Sequence, residues 1–207
     1  MTYGIVISSY KYGHLSAHCV ESILAQTRKF DKIWFVDDGV GDCCHIQDLY
    51  GDRVIFVQNS KNLGIVDNFN QMLNIADTDF VMFLGADNWL RSDALDTLAN
   101  WDDHDIITYD IVVTGELREE IYKPYEPWMT MHEGDYYWIR KMQHHGSTLY
   151  RTELAKRVGG YAHNNTSKRT DEDLNLWDKM TKFGAKVAYV NEGLLYYRRH
   201  KENFNKY

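Results

Sequence analysis

The sequence predicts an α/β fold: three layers, a mostly parallel central sheet between helices, and a small antiparallel element in the second half. Two observations carry this. Short, unbroken apolar runs such as Ile5-Val6-Ile7, Ile33-Trp34-Phe35-Val36 and Val81-Met82-Phe83-Leu84 suit strands buried on both faces, as parallel strands are. Four strand-then-helix units also follow one another within about 100 residues, the pattern of parallel crossover connections. No linker, repeat or low-complexity stretch divides the chain, and 207 residues suit one well-buried domain, so residues 1–207 are expected to form a single unit.

The elements follow in order. Tyr3 to Ser8 is the first strand and Ser9 to His14 the loop after it. Ser16 to Gln26 is a helix, with Ala17, Val20, Ile23 and Leu24 on one face and Ser16 as its cap. Lys32 to Val36 is the second strand, running into Asp37-Asp38-Gly39, and Val54 to Val57 is the third. A helix then runs from Gly64 to about Ala76, and Phe80 to Leu84 is the fourth strand. Gly85 to Asn88 forms a loop, and a helix capped by Ser92 follows. In the second half, Asp105 to Thr114 alternates as a strand does, and Glu116 to Pro127 is either a hairpin return or a loop. Met131 to Met142 reads as an aromatic-rich helix and Gly146 to Tyr150 as a short strand. A helix from Thr152 to Val158 is stopped by Gly159-Gly160. Asp171 to Phe183 is amphipathic, with Leu174, Trp177, Met180 and Thr181 on one side and Gly184 as C-cap. Lys186 to Val190 and Leu194 to Tyr197 close the list as short strands.

Composition excludes several function classes. A net charge of −7 argues against nonspecific nucleic-acid binding. No apolar run approaches the roughly 18 residues of a membrane span, and the amino terminus lacks a signal-peptide pattern, so a cytosolic protein is expected. Cys19, Cys43 and Cys44 fit no metal-ligand spacing and are expected to be reduced and structural. Neither a Gly-x-Gly-x-x-Gly after the first strand nor a phosphate-loop Gly-Lys-Ser/Thr is present.

The loops after strands one, two and four carry polar residues, and in an open α/β sheet ligands bind outside those strand ends. Asp87, at the end of the fourth strand, is a carboxylate of the kind that holds a hard divalent cation against a phosphate, although a turn-forming role also accounts for it. Seven stretches in order extend the pattern: Ile7-Ser8-Ser9-Tyr10 with Ser22 to Thr27, Val36-Asp37-Asp38-Gly39, Asn62-Leu63-Gly64, Leu84 to Leu90, Val158-Gly159-Gly160-Tyr161, Asp171-Glu172-Asp173-Leu174, and Tyr197-Arg198-Arg199-His200. Together they resemble family 2 glycosyltransferases of the GT-A fold, from about Tyr3 to Asn203.

That resemblance implies a nucleotide-sugar-binding half, residues 1–100, and an acceptor-binding and catalytic half, residues 101–207. It implies an inverting transferase that uses a nucleotide-diphosphate sugar, UDP-sugar favoured, with Mn2+ or Mg2+, acting on a saccharide or glycoconjugate hydroxyl. Ser8 and Tyr10 match positions that hold the base, where a flat ring stacks on a pyrimidine, and Asp38 matches the carboxylate that accepts the base N–H. Asp37 braces its loop. Asp87 matches the metal-holding carboxylate of an Asp-x-Asp element whose first carboxylate is missing here, Gly85 standing in its place. His200 matches a residue that completes the metal shell, and imidazole suits manganese better than magnesium. Arg198 and Arg199 match a role in neutralising the diphosphate. Asp173 matches the catalytic base, with Glu172 in reserve; both also suit a helix start on dipole grounds alone. Two other functions fit less of the pattern: a sugar-nucleotide-binding protein without turnover, and a nucleotidyltransferase, which lacks its Gly-rich, Lys-bearing loop after strand one.

Overall fold

The computed structural model describes residues 1–116, 129–131, 137–139, 146–162 and 172–203. Four parallel strands build its first half: β1 (Tyr3–Ser9), β2 (Lys32–Asp37), β3 (Ile55–Gln58) and β4 (Phe80–Gly85). Their order in the sheet is β3-β2-β1-β4. The helices between them are α1 (Gly13–Leu24), α2 (Cys44–Tyr50) and α3 (Ile65–Ile75). A two-residue strand β5 (Trp89–Leu90) and α4 (Ala94–Ala99) follow.

The second half adds β6 (Ile106–Thr114), β7 (Met129–Met131), β8 (Tyr137–Ile139), β9 (Leu149–Arg151), α5 (Thr152–Arg157), α6 (Glu172–Lys182) and β10 (Val187–Arg198). The sheet continues from β4 as β9-β6-β10-β5, with β8 and β7 branching from β6. β10 runs parallel to β6, whereas β5, β8 and β9 pair antiparallel, which is the mixed element expected of this half. β9 meets β4 only at Phe80 and Val81. Beyond Val81 the ladder ends, and the sheet opens at the carboxyl end of β4.

The apolar runs bury both faces, as parallel strands require. Ile5, Ile7, Met82 and Leu84 pack with Val20 and Ile23 of α1, Ile46 of α2, and Leu95 and Leu98 of α4. The alternate residues, Val6, Val36, Val81 and Phe83, pack with Met72 and Leu73 of α3, Ala155 of α5, and Leu176, Trp177 and Met180 of α6. Three layers result. None of the described helices is long and apolar enough to cross a membrane, and the three cysteines are free thiols, Cys44 exposed and the others buried.

Five expectations need correction. Ser16 is not a cap: α1 already begins at Gly13, and the buried Ser16 Oγ donates to the Gly13 carbonyl at 2.7 Å. Ser92 does not cap α4 either, because Trp89–Leu90 first pairs with β10 and the helix starts only at Ala94. Instead of a helix over Met131–Met142, Met131 ends β7 and Tyr137–Ile139 forms β8, the aromatic and β-branched run suiting a pleated ladder. On α6 the buried face is Leu176, Trp177 and Met180, while Leu174 is 51% exposed. The two closing strands are one, β10, with irregular register around Gly193. The stretch expected as a hairpin return or a loop lies, from residue 117 to 127, outside the described residues.

Candidate active site

A cleft of about 940 Å³ lies across the carboxyl ends of β1, β2 and β4, where the ladder between β4 and β9 has ended. Ser8, Tyr10, Asp38, Asp87, Glu172 and Asp173 all line it, so sequence-predicted residues from four separate segments meet in one cavity. His200 joins them through Asp87. Arg198 and Arg199 do not line this cleft. They line a neighbouring cavity of about 520 Å³, and Lys201, which borders both, is a cation the sequence reading missed.

At the β2 end the two aspartates divide their work. Asp37 is buried and accepts backbone N–H bonds from Val40 (2.9 Å), Gly41 (3.0 Å) and Cys43 (3.3 Å), which fixes the loop. Asp38 uses one oxygen, Oδ1, to accept from Asn59 Nδ2 and the Leu63 N–H, both at 2.9 Å. Its Oδ2 has no hydrogen-bond partner among the described residues. Tyr10 lines the same cleft at 39% exposure, with Lys11 Nζ over its ring, 5.0 Å from the centroid. Asp37, Asp42 and Cys43 also bring ligand-type atoms within 4.8 Å of one another. Burial pushes the Cys43 thiol up to about 12, and its Sγ lies within hydrogen-bond reach of Ser9 Oγ (3.2 Å) and Asp42 Oδ1 (3.3 Å), contacts that help close the loop.

At the β4 end Asp87 is buried. Its Oδ1 accepts from Asn88 Nδ2 (3.0 Å), and its Oδ2 lies 3.2 Å from His200 Nε2 and accepts from Asn203 Nδ2 at 3.1 Å. Asn203 holds the turn that carries His200, accepting from the His200 N–H (2.7 Å) and donating to the Arg198 carbonyl (3.0 Å). Asn88 ties the same segment down by accepting from the Arg198 N–H at 2.9 Å. Neither amide was foreseen; a lone Asn carries no periodicity or charge to mark it. A carboxylate and an imidazole meeting at one point are ligand types that suit a divalent cation, and the Asn203 amide, which donates to Asp87, positions them.

The missing first carboxylate has a steric reason. A Cβ on Gly85 would stand 2.7 Å from Asp87 Oδ1 and 2.9 Å from Asn88 Nδ2, so the bond between those two side chains occupies the space. Gly85→Asp is therefore expected to weaken metal-dependent nucleotide binding rather than strengthen it. Titration calorimetry with manganese and UDP checks this, and tighter binding by the variant would contradict the packing account.

Glu172 and Asp173, which also line the cleft, open α6. Burial, with the Glu172 carboxylate next to it, pushes the Asp173 carboxyl up to about 7. Its Oδ1 is shielded and has no partner among the described residues, and its Oδ2 packs on Gly146, where a Cβ would stand 2.7 Å away. The buried Tyr150 and Tyr161 hydroxyls, 3.1 Å apart, lie near enough for the same charge to oppose their ionisation. A carboxyl titrating near neutrality in an apolar wall is suited to proton transfer.

Comparison with known proteins identifies a family and a fold. Glycosyltransferase GlyA of Streptococcus pneumoniae serotype 4 is 26% identical over 98 residues, 45% of this chain but 14% of that protein. The crystal structure of S. aureus TarS 1-349 in complex with UDP-GlcNAc superposes with a TM-score of 0.75 at 18% identity, covering 98% of this chain and 60% of that one. The same fragment in complex with UDP gives 0.72 at 17% identity, with 96% and 61% covered. At such identities these structures establish the likeness of fold, and the chain spans about 60% of the fragment. The profile of Glycosyl transferase family 2 matches residues 4–159. The chain belongs to glycosyltransferase family 2.

Proposed function

We propose that this chain is an inverting glycosyltransferase that moves a sugar from a UDP-sugar to a hydroxyl of a saccharide or glycoconjugate, with a divalent cation. The observation that carries the reading is that one cleft gathers three kinds of chemistry. Tyr10 and Asp38, Asp87 with His200 bonded behind it, and a neutral-range carboxyl, Asp173, all meet there. The UDP-GlcNAc and UDP complexes of the TarS fragment support the donor class.

The nucleobase stacks on Tyr10 and gives an N–H to Asp38 Oδ2. Asp87 and His200 hold the cation, Mn2+ in preference to Mg2+ because one ligand is an imidazole. When bound, that ion supplies positive charge against the diphosphate leaving group. Lys201 adds a second cation from the rim of the cleft, while Arg198 and Arg199 act from the adjoining cavity. Asp173 takes the proton of the acceptor hydroxyl as its oxygen attacks the anomeric carbon. The bond from that carbon to the diphosphate oxygen breaks with its electron pair leaving on the nucleotide, which inverts the centre. Burial, helped by the Glu172 charge beside it, keeps the Asp173 pKa high enough to accept a proton at neutral pH.

Incubation with a panel of UDP-sugars and manganese, followed by assay of released UDP, tests the reading. Slow metal-dependent release supports it. Tight binding without release would favour a sugar-nucleotide-binding module, the role that the absent first carboxylate suggests. Within the same assay, Tyr10→Ala is expected to weaken UDP affinity by about 1–3 kcal/mol, the scale of one base stacked on an aromatic ring. The half-exposed ring contributes little to the core, so the melting temperature is expected to hold.

A further inference from the structure

Ser8 and Asp38 end neighbouring strands, and a chain of buried amides from the next loop and helix fixes both. Asn59, just after β3, donates its Nδ2 to Asp38 Oδ1 (2.9 Å) and to Asn68 Oδ1 (3.3 Å), and its Oδ1 accepts from Gln71 Nε2 at 2.8 Å. Asn68, on α3, donates its own Nδ2 to Ser8 Oγ at 2.9 Å. Asn59 and Asn68 are both buried.

The direction of every bond in this chain follows from one fact. An ionised carboxylate only accepts, so Asn59 must turn its amino group to Asp38. The same amino group faces Asn68, which must therefore present its oxygen to Asn59 and its amino group to Ser8. Ser8 Oγ accepts that bond, and its own proton points elsewhere. Two polar atoms then remain for a ligand in the cleft that Ser8 and Asp38 line: an acceptor, Asp38 Oδ2, and a donor, the Ser8 hydroxyl.

We infer that Asn59 and Asn68 are positioning residues that set the nucleobase preference of the site, by fixing an acceptor at Asp38 and a donor at Ser8. This rests on the proposed placement of a nucleobase between Tyr10 and Asp38. Uracil offers N3–H flanked by carbonyls, the complement of that pair. Cytosine brings an unprotonated N3 against a carboxylate oxygen, lone pair to lone pair. The selectivity is thus set one hydrogen bond behind the two contacts, by Asn59 behind the cleft and Asn68 in its wall.

Titration calorimetry of UDP and CDP with the whole chain, in one manganese buffer, tests this. In Asp38→Asn, the Asn59 and Leu63 donors still demand an oxygen at Oδ1, so the new amino group faces the cleft. UDP affinity is expected to fall about tenfold and CDP to become the preferred ligand. Adding Asn59→Ala loosens that orientation and is expected to reduce the CDP preference. Asn68→Asp is isosteric but no longer donates, so Ser8 turns its proton to the new carboxylate; UDP affinity is expected to fall about tenfold and CDP affinity to stay within about threefold. Asn68→Ala, which frees the Ser8 proton without capturing it, is expected to lose less UDP affinity than the aspartate variant, again with CDP affinity within about threefold, and serves if the aspartate variant fails to fold. Equal losses for UDP and CDP in the Asn68 variants, or Asp38→Asn losing UDP without gaining CDP, would overturn the inference. Unchanged UDP affinity in Asp38→Asn would instead overturn the placement of the base.

Discussion

Asp173→Asn is expected to cut sugar transfer by roughly 10²–10⁴-fold while leaving UDP affinity unchanged and making the protein more heat-stable at pH 8. The kinetic half follows from the proposed role of the carboxylate: asparagine cannot take a proton, and in that role the group meets the acceptor hydroxyl and not the diphosphate. A loss confined to turnover is the signature. The stability half follows from the pKa. Below about pH 4 the carboxyl is neutral in the folded and the unfolded chain. Between its ordinary value of 3.8 and about 7 the unfolded chain ionises first, so the wild type loses stability as pH rises through that window. Asparagine has no such loss, so the variant is expected to melt above the wild type at pH 8 and close to it at pH 4. Melting curves at the two pH values check this. Near-normal transfer by the variant would reduce Asp173 to a helix-start carboxylate and bring Glu172 forward as the base.

Asp87→Ala is expected to abolish the manganese-dependent part of UDP binding, a loss of about 100-fold or more, and to leave binding in the presence of a chelator as it was. In the proposed role the carboxylate is one ligand and also the partner of the other, His200, so its removal takes away the first and loosens the second. It also takes the acceptor from Asn203 and Asn88, at a cost of about 1–3 kcal/mol in stability. Calorimetry with and without manganese separates the two effects. Metal-dependent affinity retained by the variant would remove Asp87 from the metal site.

Much of the fold was legible because it is written in local patterns. The runs at Ile5, Ile33 and Val81 are too short for ordinary helices and too apolar for one-sided strands, and they became β1, β2 and β4. α2 was implied by the strand-then-helix count but could not be bounded: its seven residues bury only Ile46 and Tyr50, too few for a periodic signal. β5 is two residues long and exists because β10 pairs with it, a partner about 100 positions away. At the site, charged residues in motif positions were legible, and Asp87 and His200 do meet. The amides that orient them were not, since Asn59, Asn68, Asn88 and Asn203 act through bonds that only the tertiary structure creates. Arg198 and Arg199 follow motif order, yet the end of β10 directs both toward the adjoining cavity.

The bonds to Asp87 also impose a timetable on the newborn chain. Its partners His200 and Asn203 are 113 and 116 residues further along. At about 5–20 residues per second of synthesis, that separation corresponds to roughly 6–23 seconds in which β1 to β4 can already pair, yet the donor set cannot exist. The strands whose ends line the cleft are complete early and close in sequence. The Asp87–His200–Asn203 cluster forms only later, when the turn after β10 reaches Asp87. A ribosome-bound intermediate stalled before His200 is thus expected to present a nucleotide-shaped groove with no grip on a divalent ion, so metal competence reports that the closing strand has docked.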